Sequence, residues 1–408
     1  MSTSPTAPAA TTGSRAAWPV LLCWIAVALD GYDLVVVGAV IPTLAKTGAL
    51  GFTEASLTTA ATLGLVGVGI GAVLIGPLAD RFGRRTTLIG SITLFSVFTL
   101  AVAFAPSAAA FITLRFLAGL GLGACLPTAL AFMSEHAPPA RSGTAMTRMM
   151  TGYHAGAVLT ALLALWVIPT WGWEAMFVIG GVAGLLTVPL MWAKLPESEA
   201  YLAAAHTEAI RPTEVVRGRL LWVSIGLWVA SFMGLLLVYG LNTWLPAIMG
   251  AAGYSLDAGI GLLLTLNIGA VIGLMVAGKI SDARGNKPTV VLWFGVAAVM
   301  LALLSIKMEN TVVVYAAVLA AGVFVFSAQV LVYAFVSHLY PASIRGTALG
   351  MSAGVGRVGA IVGPFLGGAL LTAGIAHPWG FYAFSAAAVI ALAALLTVPG
   401  EPEASQAG

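Results

Sequence analysis

Apolar residues run through this chain in twelve long blocks, and the charged residues gather in the short stretches between them. Each block reaches the roughly 20 residues that a helix needs to cross a bilayer. The pattern predicts helices near 18–44, 56–79, 86–106, 108–135, 142–168 and 172–193, then 219–249, 256–280, 287–306, 311–338, 345–374 and 377–398. Residues 1–17, rich in Ser, Thr, Ala and Pro, read as a disordered tail, and 399–408 as a C-terminal tail. The first apolar block is too long for the core of a cleaved signal and carries two aspartates, so it reads as the first membrane helix. Residues 194–218 form the one long connection. It divides a first bundle, 18–193, from a second, 219–398, and its 197–210 stretch could form a short surface helix.

Composition fixes the solvent. Of the 408 residues 60% are apolar and 8% charged, and mean hydropathy is +1.01. Soluble domains carry roughly a quarter charged residues, and no soluble fold of this size hides so much apolar surface. A cytosolic enzyme, a nucleic-acid binder and a disordered scaffold are excluded, and the expected class is an all-α protein of the lipid bilayer. Arg81, Arg84, Arg85, Arg141, Arg148, Lys194, Lys279, Arg284, Lys287 and Arg345 fall on one side of the spans, Lys46 and Lys307 on the other. The bias of basic loops toward the cytoplasm then puts both termini inside a plasma (inner) membrane. Cys23 and Cys125 sit in apolar blocks and read as inert thiols.

The two halves repeat. Gly76-Pro-Leu-Ala-Asp80-Arg81-Phe-Gly83-Arg84-Arg85 returns as Gly278-Lys-Ile-Ser-Asp282-Ala-Arg284-Gly285-Asn286-Lys287, and Arg141-Ser-Gly143-Thr144 is answered by Ile344-Arg345-Gly346-Thr347. Parallel six-helix repeats are a transporter architecture with substrate held between the halves near the bilayer midplane. The segment Gly76–Arg85 resembles the loop signature of the major facilitator superfamily. That resemblance implies twelve membrane helices in two pseudo-symmetric six-helix bundles. It also implies a conformational latch in which Asp80, Arg81, Arg84 and Arg85, with Asp282 in the second copy, clamp helix ends. The second copy lacks two of the arginines and should clamp less firmly. Glu135 and His338, equivalent positions at the ends of spans four and ten, read as further gate or loop-anchoring groups.

Asp30-Gly31-Tyr32-Asp33 resembles the Asp-Gly-x-Asp signature of aromatic acid:proton symporters. The stretches Tyr239-Gly-Leu-Asn242-Thr-Trp244-Leu-Pro246, Gly356-Arg357-Val-Gly359 and Leu195-Pro-Glu-Ser198 are similar to that family as well. The family implies import of benzoate- or hydroxybenzoate-like carboxylates with protons as coupling ion and no other cofactor. A small aromatic acid is then the expected partner and a monomer the expected state. Other organic acids, drug:proton antiport and a non-transporting sensor are the competing readings. No metal cluster, nucleotide loop or catalytic triad stands in the sequence, so no enzyme is expected.

Charges at membrane depth are costly and mark function. Asp30 and Asp33 share one helical face and read as the proton-coupling pair, with Arg115 of span four tuning them through acids or carbonyls of the first span; Asp33 also reads as a substrate contact. Arg357, whose planar fork matches a carboxylate, is the candidate for the anionic end of the substrate. A standing ion pair with Asp30 or Asp33 is its other reading. His154, the repeat equivalent of Arg357, is a proton relay, a bond to a substrate hydroxyl or a packing residue. Tyr239, Asn242, Trp244 and Gln329 complete the expected substrate wall.

Overall fold

The chain folds as twelve long helices in the computed structural model, which describes residues 17–138, 141–204, 212–254 and 256–400. They are α1 (Ala17–Thr47), α2 (Glu54–Phe82), α3 (Arg84–Val102), α4 (Ala108–His136), α5 (Ser142–Trp171) and α6 (Glu174–Lys194), then α7 (Gly218–Ala251), α8 (Leu256–Arg284), α9 (Asn286–Leu304), α10 (Thr311–Leu339), α11 (Ala342–Thr372) and α12 (Ala376–Thr397). Eleven are long and apolar enough to cross a membrane. In α2 the apolar stretch among described side chains is Thr62–Leu74. The two tails lie outside the described residues, save Ala17, which opens α1, and residues 399–400. In the connection, a helix covers Glu199–Ala204 within the 197–210 stretch suggested, and a 3₁₀ turn covers Pro212–Val216; residues 205–211 lie outside the described set.

Local chemistry sets the helix ends. Thr53 and Ser56 form a reciprocal capping box on α2, and Ser107 and Asn310 accept from the first turns of α4 and α10, satisfying N–H groups that no helix can pair internally. The repeated signature turns on a single residue in each half. Gly83 (φ 92°) alone separates α2 from α3, and Gly285 (φ 91°) alone separates α8 from α9, a conformation that a side chain would strain.

The halves pack alike. In the first, α1 lies on α5, α2 on α4, and α3 on α4 and α6; in the second, α7 lies on α11, α8 on α10, and α9 on α10 and α12. Two seams join them, α2 against α11 and α5 against α8, and these are exchanged by the repeat. Helices α4, α5, α10 and α11 meet along the middle. The face where α1 begins and α12 ends carries the repeated signature loops and is the basic face below.

Candidate functional site

A cavity of about 360 Å³ opens between the two bundles, within the size range of small-molecule sites. The first half contributes Val35 of α1, Leu126 of α4, and Met150, Tyr153, His154 and Ala157 of α5. The second contributes Leu235, Val238, Tyr239 and Asn242 of α7, Asn267 of α8, Phe326, Gln329, Val330 and Tyr333 of α10, and Arg357 of α11. Aliphatic and aromatic walls with a few convergent polar groups suit a flat ring bearing one charge.

Arg357 is the charged group on that wall. Its Nη1 donates to the Tyr239 hydroxyl at 2.7 Å, and the Tyr239 hydroxyl lies 3.4 Å from that of Tyr153. The tyrosines hold one edge of the guanidinium, and Asp30 lies within electrostatic reach of it, though among the described residues no aspartate approaches closely enough to form the ion pair that the sequence offered. His154 stands on the repeat-equivalent helix of the opposite half. It makes ring contacts with Tyr153 and Phe326 at 5.7 and 6.1 Å between centroids and, among the described residues, no side-chain hydrogen bond. Asn267 donates to Asn242 at 3.0 Å and Gln329 to Ser231 at 3.2 Å, which fixes the amides in place. Each amide donor bonded in this way cannot turn away from the cavity without losing a bond.

The aspartates lie behind the wall. Asp33, 1% exposed, accepts from Arg115 Nη1 at 2.8 Å through Oδ2 and from Thr99 Oγ1 at 2.6 Å through Oδ1, while Arg115 Nη2 donates to the Asp33 carbonyl at 3.1 Å. Asp33, expected to contact substrate, has both oxygens occupied within the first half here and does not line the cavity. Asp30, fully buried, has no hydrogen-bond partner on either oxygen among the described residues. Trp244, expected on the substrate wall, stands elsewhere in this structure. Its Nε1 donates to the Pro364 carbonyl at 2.5 Å and its ring fills the space left by Gly367 and Gly368, so it packs α7 on α11 and does not line the cavity.

At the basic face the signature residues meet the opposite half. Asp80 accepts from the Gly346 and Thr347 N–H groups at 3.0 and 2.7 Å and from Thr347 Oγ1 at 2.6 Å, seating a carboxylate against the second turn of α11. Arg84 pairs with Asp80 and with Glu135, each at 3.0 Å, and donates to the Ala342 carbonyl across the seam. Glu135 also pairs with Arg345 at 3.3 Å and accepts from Ser198 at 2.6 Å. Burial pushes the Asp80 carboxyl, just past the end of its span, up to about 6 against the opposing pull of Arg84 and the Gly346 and Thr347 bonds. Asp282 repeats the clamp on α5, accepting from Gly143 and Thr144 at 2.8 and 3.0 Å. Arg81 and Arg85 do not share this role. Arg81 is exposed over Phe82, and Arg85 donates to the Trp192 carbonyl and covers its ring, so both stay within the first half. His338 sits exposed near the end of α10.

A sequence model described as Major Facilitator Superfamily matches residues 23–270 and 257–408. The chain belongs to the Major Facilitator Superfamily. As a member of that superfamily it is a multi-pass membrane protein and not an enzyme. It is 39% identical to a gentisate transporter of Corynebacterium glutamicum over 92% of this chain and 86% of the relative. It is 32% identical to a gallate transporter of Pseudomonas putida, covering 91% of each, and 30% identical to a benzoate transport protein of Acinetobacter baylyi, covering 93% and 88%. Among solved structures it resembles the proton:xylose symporter XylE bound to 6-bromo-6-deoxy-D-glucose, with a TM-score of 0.78, 19% identity and coverage of 95% and 97%. That likeness gives this superfamily member its fold and no more.

Sequence reasoning missed Tyr153, Met150, Phe326 and Val330 as wall residues and Thr99 as the second Asp33 partner. Tyr153 had a signal, since it precedes the repeat equivalent of Arg357. The apolar three had none, because their spacing is that of any packed helix. Glu197, noted only as part of a motif, accepts from the Arg84 and Arg85 N–H groups at 2.8 and 3.1 Å and so caps α3.

Proposed function

We propose that this protein imports aromatic carboxylates of the benzoate and hydroxybenzoate type together with protons, by alternating access, with its basic face in the cytoplasm. The observation that carries the reading is Arg357. It is a buried guanidinium on the wall of an aromatic-lined cavity, bonded to a tyrosine hydroxyl, with Asp30 within electrostatic reach but, among the described residues, no carboxylate in contact with it. Such a group is satisfied by a bidentate anion, and the walls of Tyr153, Tyr239, Tyr333 and Phe326 accept the ring behind it. The names of the relatives, which carry gentisate, gallate and benzoate, support the same substrate class. A cationic drug would meet the wrong charge here.

Proton coupling is assigned to Asp30, with Asp33 and Arg115 as the fixed pair beside it. Burying a carboxylate whose oxygens find no donor is costly, and a proton on Asp30 relieves that cost. The clamps at Asp80 and Asp282 hold the basic face shut, so the cavity in this state serves the opposite side. The deciding experiment is uptake of labelled 4-hydroxybenzoate and gentisate into proteoliposomes under an inward proton gradient. Accumulation above the outside concentration, abolished by an uncoupler, is expected; accumulation that survives the uncoupler removes proton symport.

A further inference from the structure

The two seams that close the basic face share one plan and are finished differently. At the α2/α11 seam the Asp80 clamp is backed by Arg84, Glu135 and Arg345, an ion-pair network spanning both halves. The repeat places Asn286, His338 and Ser142 at the corresponding positions of the α5/α8 seam, so the Asp282 clamp has no acid of this kind beside it. In its place stand three cations. Arg141, Arg148 and Lys279 line a pocket of about 420 Å³ with Thr144, Asp282 and Ala283. Their repeat counterparts at the first seam are Ile344, Met351 and Pro77, which carry no charge.

Topology alone does not account for this. Both seams lie on the same face, and basic residues placed only to orient the chain need not gather at one of them. All three cations are exposed, and none is in an ion pair among the described residues. Asp282 is the one acid on the pocket wall, and its oxygens already accept from Gly143 and Thr144. The backbones leave no room for a protein group between them: a Cβ on Gly143 would lie 2.8 Å from Asp282 Oδ1, and one on Gly278 would lie 2.7 Å from the Gly143 carbonyl oxygen. Among the described residues no other acid stands on this wall to meet the three cations.

We infer that the Arg141–Arg148–Lys279 pocket binds the phosphate headgroup of an anionic phospholipid, which staples the α5/α8 seam as Glu135 staples the other. Below Lys279 on the same face of α8, one and two turns toward the membrane centre, Met275, Val276 and Ile272 are exposed at the spacing that makes neighbours on a helix. An acyl chain can lie on that strip while its phosphate reaches the cations, which a soluble anion has no means to exploit. Because Arg141 and Arg148 belong to the first half and Lys279 to the second, the pocket exists only while the seam is closed, and a bound headgroup favours that state. Basic pockets between membrane helices are a recognised setting for such headgroups.

The test uses the full chain in phosphatidylcholine nanodiscs with and without phosphatidylglycerol. It compares the parent with Arg141→Gln, Arg148→Gln and Lys279→Gln, singly and combined, and with Met351→Gln at the other seam. Phosphatidylglycerol should raise the melting temperature of the parent and of Met351→Gln, and the gain should vanish in the triple variant. Native mass spectrometry should show each single substitution weakening lipid retention about fivefold. The melting temperature in phosphatidylcholine alone reports whether a variant is folded, and the retention of lipid by the single variants remains informative if the triple one is not. Equal stabilisation and retention in parent and variants overturns the site. Equal protection by inorganic phosphate or glycerol phosphate overturns the lipid as its occupant.

Discussion

Arg115 reaches Asp33 twice, through Nη1 to the carboxylate at 2.8 Å and through Nη2 to the carbonyl at 3.1 Å. The pair removes Asp33 from the set of partners open to Arg357 and divides the four intramembrane charges into a structural pair and two groups free to work. Breaking a buried pair by removing one member leaves the other charge stranded, at a cost of about 3–5 kcal/mol. Asp33→Asn is therefore expected to lower the unfolding temperature in detergent, with Thr99→Val lowering it less. An Asp33→Asn protein as stable as the parent would show that the pair is not what holds α1 to α4.

Asp30→Asn should behave in the opposite way. Its oxygens have no partners to lose, so stability is kept. If Asp30 carries the coupling proton, the variant should exchange labelled for unlabelled substrate across proteoliposomes yet fail to concentrate it under a proton gradient. Uphill uptake by this variant assigns the proton elsewhere.

Arg357→Lys keeps the charge and loses the fork. A hydrogen bond to a charged group contributes about 1.5–3 kcal/mol, so substrate affinity should fall about tenfold or more, read by isothermal titration with a hydroxybenzoate. His154→Leu, across the cavity, should leave benzoate binding in place and reduce the preference for ring-hydroxylated acids. A uniform loss across benzoate and its hydroxylated forms would make His154 a packing residue.

Trp244→Phe removes the bond to Pro364 and keeps most of the ring. A loss of about 1 kcal/mol in stability is expected, with substrate affinity unchanged in the same titration. Weaker binding would return Trp244 to the cavity wall.

The Asp80 clamp gives the basic face a pH dependence. Its carboxyl sits at about 6 in the closed seam and returns toward the ordinary 3.9 or so when the seam opens to water. The closed state thus binds the proton more readily. Its advantage is fully present below about pH 4 and is lost as pH rises through about 6. Spin labels at the ends of α2 and α11 should report a larger closed population on acidification across that window. Asp80→Asn should flatten the response, and a parent protein with no such response would exclude Asp80 as its source.

Much of this was legible in the chain. The apolar blocks dictated helices because an unpaired backbone group is prohibitive in lipid. The offset between Asp80 and Asp282 dictated two like bundles, and the rarity of charge singled out Asp30, Asp33, Arg115 and Arg357. Helix periodicity also put Asp30 and Asp33 on one face. It could not say which of them met Arg115, since that depends on how α4 rests on α1. It could not give Arg357 its tyrosine or draw Trp244 out of the cavity, because both follow from where α7 crosses α11. Nor could it separate Arg84, which crosses the seam to Ala342, from Arg81 and Arg85, which turn back on Phe82 and Trp192. Sequence sets which residues bear charge and at what depth, through the energetics of transfer into lipid, which act on each residue locally. Partner choice rests on contacts of a few ångströms between helices distant in the chain, and only their packing decides it.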